Sequence, residues 1–264
     1  MRAPWRDIAR RPLVLCYHAV SSTWRSPLAV SETLLRSQLA YLKKRGYVGL
    51  TISDAERRRS DATLPPRSVV VTFDDGYAST GRAAPILAEL GFPGTAFLVT
   101  DFVESGEPLS WIAQAIRPDS AEDLRPLTWR DAEKLAATGW EIGSHTMTHP
   151  LLTGLDDGSL RAELAGSRAA IDRHLGSCSS LSYPYGHADA RVAAEARRAG
   201  YEVASTLTLS HSVDEPHRRP RIGIGRADTG IRLAVQVSTV GQAVRRSAAA
   251  PLANALYPRR KRHR

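Results

Sequence analysis

Two adjacent carboxylates, Asp74 and Asp75, follow directly on the run Val69-Val70-Val71-Thr72-Phe73 and precede Gly76. A short apolar run of this kind reads as a buried strand, an unusual place from which to project two charges. Neighbouring side chains at a strand's end point in different directions, so one carboxylate can hold a cation while the next faces a reacting atom. The same letters also suit a plain Asp-Asp-Gly turn.

A second group follows another strand-like stretch: His145 and His149 in Gly143-Ser144-His145-Thr146-Met147-Thr148-His149-Pro150. A helical turn here would set both imidazoles on one face, at a spacing that suits a single divalent ion. The pattern is not that of a zincin, because Thr146 stands where such a site needs its glutamate base. Asp75, His145 and His149 together make three protein ligands and leave positions for water, the pattern of a catalytic metal. Zinc is the expected ion, and other first-row divalent ions suit the same ligands. Asp74 is then the free carboxylate, placed to take a proton. This is the equipment of a metal-dependent hydrolase acting on an amide or ester. His174 and His187 lie in polar, helix-like stretches and read as surface residues without a role.

The elements that must position these residues alternate in type. Strand candidates are Leu13 to Tyr17, Tyr47 to Thr51, Ser68 to Phe73, Thr95 to Val99, Trp140 to Gly143, Ser179 to Tyr183 and Tyr201 to Thr206. Between them, Ser31 opens a helix with the apolar face Leu34, Leu35, Leu39 and Leu42, ending at Gly46. Ser53 with Glu56, and Thr128 with Asp131, have the spacing of capping boxes that open two more. Further helices fit 80–90, 159–175 and 189–199, each stopping before a glycine. The alternation predicts an α/β fold, and its seven evenly spaced strands suit a parallel barrel. The polar stretch 101–126 reads as an excursion over the surface, of the kind that often contributes to a site. Residues 230–250 read as helical before a basic end, which divides the chain into a catalytic domain at 1–228 and a C-terminal helix and basic tail at 229–264.

Composition sets limits on these readings. At 264 residues, 42% hydrophobic and 24% charged, the chain is that of a folded globular protein. No run approaches the roughly 18 apolar residues of a membrane helix, so no transmembrane segment is expected. The first twenty residues lack an apolar core and a small-residue cleavage site, which points to a cytoplasmic or peripheral location. Cys16 and Cys178 are too far apart for a metal pair and read as buried free thiols. The net charge of +9 is confined to residues 212–264, which carry twelve Lys and Arg against three Asp and Glu, whereas 1–211 carry 24 of each. No nucleic-acid-binding motif accompanies it, so no nucleic-acid partner is expected, and nothing specifies an oligomeric state.

Thr72-Phe73-Asp74-Asp75-Gly76 followed by Ser144-His145-Thr146-Met147-Thr148-His149 resembles the polysaccharide deacetylase, or NodB-homology, family, carbohydrate esterase family four. Tyr183-Pro184-Tyr185-Gly186 matches a third element, and the resemblance runs over about residues 13–225. It implies a distorted (β/α)7-type barrel that removes acetyl groups from an N-acetylated saccharide. It also implies Asp74 as general base, Asp75, His145 and His149 on the metal, and the Tyr185 amide at the oxyanion, with Pro184 and the Tyr185 ring shaping the sugar site. The chain departs from the family at Ser182, where many relatives carry an arginine that orients the base, and in its later elements, where Leu209-Ser210-His211 matches a Leu-x-His by letters alone. A branch resembling the poly-N-acetylglucosamine deacetylases places its acid histidine after the first strand. Tyr17-His18 fits that branch, which makes His18 the expected acid and His211 the alternative. Pro220-Arg221-Ile222 matches another element of the branch, so Arg221 is the candidate to replace the missing arginine. Two rival readings stay open: a catalytically silent glycan-binding relative, and an amidase cleaving a non-sugar C–N bond on the same fold.

Overall fold

The computed structural model describes residues 11–112, 118, 120–207 and 215–238. Its strands are β1 (Leu13–Tyr17), β2 (Ala19–Val20), β3 (Ala29–Val30), β4 (Val48–Leu50), β5 (Ser68–Phe73), β6 (Gly94–Leu98), β7 (Glu141–Ser144), β8 (Ser180–Ser182), β9 (Val203–Thr206), β10 (Arg219–Pro220) and β11 (Ile222–Gly223). Its helices are α1 (Glu32–Lys44), α2 (Ile52–Ser60), α3 (Ala83–Leu90), α4 (Thr100–Ser105), α5 (Trp129–Ala137), α6 (Asp157–Leu175), α7 (Ala190–Arg198) and α8 (Gly230–Val237).

The main sheet runs β10-β9-β8-β7-β6-β5-β1-β11, with β4 beside the first half of β5, and its pairings are parallel. Its two end strands, β10 and β11, are consecutive in the chain and separated by Arg221 alone. One extended segment therefore lies on β9 and on β1 at once and draws the two edges together. The result is the nearly closed parallel barrel that the strand count suggested. The β2–β3 pair stands apart.

Strand alternation sorts the side chains into two layers. Leu13, Leu15, Tyr17, Val69, Val71 and Phe73 join the large core with Leu35, Leu39 and Leu42 of α1 and Leu160, Leu164 and Ile171 of α6. Burying each of these leucines contributes on the order of 1.5–3 kcal/mol. Val14 and Val70 join a separate cluster with Leu50, Ile52, Phe97 and Val203 that plugs the barrel. One step further along the same strands sit Cys16 and Thr72, fully buried, just below the loops that follow. Apolar packing thus forms a floor on which polar side chains stand.

Local signals set most helix ends where expected. Ser31 caps α1, Thr128 and Asp131 form the capping box of α5, and Gly91 and Gly176 end α3 and α6 in the left-handed conformation. The Ser53–Glu56 reading is corrected: Thr51 caps α2, accepting from the Asp54 amide at 3.3 Å. Ser53 is drawn instead to Glu141, donating through Oγ at 2.7 Å and through its amide at 3.0 Å. Likewise α6 starts two residues early, because Asp156 caps it by accepting from the Ser159 amide.

The 101–126 stretch is also corrected. It buries Leu109, Ile112 and Leu124 with Trp24, Leu28 and Tyr77 in a second small core, three apolar side chains spread too thinly among polar ones to register as a pattern. Leu233 and Val237 of α8 pack into the main core. The continuation of that helix to 250 and the basic tail lie outside the described residues. Both cysteines are buried thiols outside any disulfide. Among the described residues, no helix is long and apolar enough to cross a membrane.

Candidate active site

The carboxyl ends of the strands converge on one set of side chains. Asp74 and Asp75 leave β5, His145 and His149 follow β7, His18 follows β1, Tyr185 follows β8, and Arg221 joins β10 to β11. The register pairs Tyr17 with Phe73, so His18 and Asp74 leave neighbouring strands at the same level. Asp74, Asp75, His18, His145 and His149 are all buried, none more than 7% exposed.

His145 Nε2 and His149 Nε2 each lie 3.4 Å from Asp75 Oδ1. The His145 Nδ1–H donates to the Ser182 carbonyl at 2.7 Å, which leaves Nε2 with its lone pair towards the carboxylate. Three potential ligand atoms, one from each side chain, thus lie within 4.8 Å of one another in a buried space. The 3.4 Å separations are also about those between ligands of a tetrahedral zinc with bonds near 2.1 Å. The chemistry of these donors and their spacing both fit a divalent cation. Burial alone would push the His145 pKa down, but Asp74 and Asp75 draw it up. Burial alone would raise the Asp75 pKa, but the two imidazoles hold it well below the usual range. The two shifts describe the mutual attraction of the carboxylates and the imidazoles.

The two imidazoles do not meet through a helical turn. Thr146 and His149 take left-handed backbone conformations, φ 73° and 64°, and the loop folds back on itself instead. Asp75 and Tyr185 share that region at φ 69° and 59°, so four of the five described non-glycine residues with positive φ surround this site. Such strain persists only where the surroundings hold it. Here Glu163 of α6 accepts from the Met147 and Thr148 amides at 2.8 and 3.0 Å, and the Thr146 hydroxyl accepts from the His149 amide at 3.0 Å.

Asp74 has different company. Arg221 meets it in a fork, Nη1 to Oδ1 at 2.6 Å and Nη2 to Oδ2 at 2.7 Å, while also donating to Ser182 Oγ at 2.7 Å and Thr72 Oγ1 at 3.0 Å. The Ser182 hydroxyl and the Cys16 thiol donate to Asp74 Oδ2 at 3.0 and 3.4 Å. Burial alone would raise the Asp74 pKa, but the guanidinium charge holds it far below the usual carboxylate range. Cys16, His18 and Asp74 also lie close enough together to form a ligand triad. The Arg221 fork occupies both Asp74 oxygens, so this second triad is unfavourable for a cation.

Comparison with known proteins decides the family: the polysaccharide deacetylase model matches residues 61–204. The chain belongs to this family. YxkH of Bacillus subtilis, whose name places it there too, is 26% identical over 196 residues, 73% of this chain and 63% of that one. The poly-β-1,6-N-acetyl-D-glucosamine N-deacetylase of Escherichia coli K12 is 32% identical over 123 residues, 45% of this chain and 18% of that one. The polysaccharide deacetylase chain thus spans less than two thirds of either relative. Its fold is that of the Streptococcus pyogenes deacetylase PplD, solved with acetate, at a TM-score of 0.72 and 22% identity, covering 86% of this chain and 98% of the other.

Around this site, Pro184 is buried and Tyr185 is half exposed, its ring 4.7 Å from that of His149. His211, the alternative acid, lies outside the described residues. Sequence reasoning missed Glu163 and Trp111, whose indole stacks on His149 at 4.2 Å. Nothing in the sequence marks either one. Cys16 and Thr72 were findable, since each stands two residues before a site residue on the inward face of its strand. His174 is only partly exposed and stacks on Trp129 at 4.1 Å, away from the site.

Proposed function

We propose that the chain is a metal-dependent N-deacetylase of acetylated saccharides. One observation carries this reading: two adjacent buried carboxylates of opposite employment, Asp75 facing the Nε2 atoms of two imidazoles and Asp74 locked to Arg221. Asp75, His145 and His149 would hold the cation, with zinc proposed. When bound there, such an ion supplies a Lewis acid that polarises an acetyl carbonyl and acidifies water.

The rest of the work falls to the chain. Arg221 keeps Asp74 ionised and fixed, which makes it an available but weak base, suited to a water already acidified. Asp74 takes the proton as that water attacks the acetyl carbon. His18, level with Asp74 on the neighbouring strand, donates a proton to the departing sugar nitrogen. In this reading the Tyr185 amide stabilises the oxyanion, and its ring with Pro184 lines the sugar site. The E. coli relative's name supports an N-acetylated glucosamine polymer as the substrate class.

The test compares wild type, Asp74→Asn and Asp75→Ala for metal content and for acetate release from N-acetylglucosamine oligomers. Metal in the first two, with acetate from wild type alone, is the expected result. Wild type without metal after reconstitution overturns the proposal, and so does acetate from Asp74→Asn at the wild-type rate.

A further inference from the structure

The two proposed histidine ligands are held in different ways. His145 is fixed through its second ring nitrogen, which donates to the Ser182 carbonyl at 2.7 Å. Metal-binding histidines nearly always have such a partner, because it sets both the tautomer and the ring plane. His149 lacks one: its Nδ1 is buried and makes no hydrogen bond among the described residues. Nothing bonded to Nδ1 therefore opposes rotation of the ring about χ2.

Aromatic packing takes over that task. The Trp111 indole lies flat on the His149 ring, with centroids 4.2 Å apart and planes 11° from parallel, and the Tyr185 ring stands against it at 67°. Trp111 is itself wedged edge-on by Phe102, at 5.0 Å and 89°, and packs against the small core of Leu109, Ile112 and Leu124. Rotation of the imidazole would open this stack.

The segment that carries Trp111 is tied to both ligand loops. At its start, the Thr100 and Asp101 amides donate to the carbonyls of Thr146 and Met147, each at 3.1 Å. At its end, the Leu127 amide donates to the Gly76 carbonyl at 2.7 Å, immediately after Asp75. The described residues 100–112 and 120–127 thus bond to both the loop bearing the imidazoles and the loop bearing the carboxylate.

We infer that Trp111 is a positioning residue for the proposed metal, standing in for the hydrogen bond that His149 does not make; the inference rests on the metal-binding reading above. The His149 ring is aligned by stacking, and the ligand geometry is thereby coupled to the packing of residues 100–112. By linkage, metal binding also tightens that segment.

The experiment titrates metal-free full-length protein with zinc against a chromophoric chelator, for wild type, Trp111→Ala and Trp111→Phe. Thermal unfolding of each metal-free form controls for folding. Loss of an outer-shell partner of a metal ligand typically weakens binding by about 10–100-fold. Trp111→Ala is expected in that range, and Trp111→Phe, which keeps a ring on the imidazole, within about threefold of wild type. Hydrogen exchange over residues 100–112 is expected to slow on zinc addition in wild type and in Trp111→Phe. If Trp111→Ala binds zinc as wild type does, Trp111 is not a positioning residue, although the metal reading stands. Equal losses in the Ala and Phe variants also overturn the inference, because stacking is then not what matters. Wild type that binds no zinc overturns the metal reading itself, a distinct outcome.

Discussion

Arg221 and Asp74 form a two-pronged ion pair in which the arginine side chain is fully buried and the aspartate 2% exposed. The pair is made possible by closure of the barrel, since Arg221 is the residue at which the chain crosses from β9 to β1. Its guanidinium rests 5.5 Å above the Phe97 ring, on the apolar plug, and reaches up to the carboxylate.

Removing Arg221 strands a buried charge. Arg221→Ala is expected to cost about 3–5 kcal/mol of stability and most of the turnover. Arg221→Lys keeps the charge but cannot form the fork, so it should recover stability more than rate. Urea denaturation set beside kcat separates the two effects. A Lys variant with full turnover would show that the fork is dispensable.

The proposed acid role of His18 came from the family resemblance, and the fold supports it: His18 and Asp74 leave adjacent strands one residue after the paired Tyr17 and Phe73. His18→Ala should lower kcat roughly 10²–10⁴-fold while sparing zinc affinity. Substrates with a better leaving group, such as an acetylated phenol, should lose far less. Equal losses on both kinds of substrate would count against proton donation by His18.

What the sequence disclosed follows from how local each signal is. The unbroken Val69–Val71 run and the carboxylates after it lie within one short stretch, and the two histidines stand four residues apart, so these could be read directly. The parallel barrel was legible because helix terminators and strand runs alternate regularly. Closure was not, since β10 and β11 are two residues each and carry no periodicity. Arg221 entered through a family resemblance, and only the fold places it on Asp74. Trp111 and Glu163 lie 38 and 14 residues from His149, and packing alone brings them to it.

Metal removal should be visible as lost stability. A ligand that binds only the folded form adds about 4 kcal/mol when free at a thousand times its Kd, which in a domain of this size is on the order of 10 °C in Tm. Zinc is expected to raise the Tm of wild type and of His18→Ala, and to leave Asp75→Ala unmoved. A Tm rise in Asp75→Ala equal to that of wild type would place the ion elsewhere.

Glu163 offers a test of how the strained histidine loop is held. One of its oxygens accepts from two consecutive amides, Met147 and Thr148, and the other from the Thr148 hydroxyl at 2.6 Å. These bonds span the turn between Thr146 and His149, both of which hold left-handed φ values that the loop would otherwise relax. Glu163→Ala keeps α6 intact, since alanine favours helix, but frees the turn. Zinc affinity should fall by about tenfold, with the loss in entropy of the loop and not in the ligands themselves. Glu163 acts on the backbone of the loop and Trp111 on the ring of His149. Both hold the same His149 loop, so the double variant with Trp111→Ala is expected to depart from additivity by roughly 0.5–3 kcal/mol. Unchanged zinc affinity in Glu163→Ala would mean that the turn holds its shape without the carboxylate, and that the amides of Met147 and Thr148 are served equally well by water.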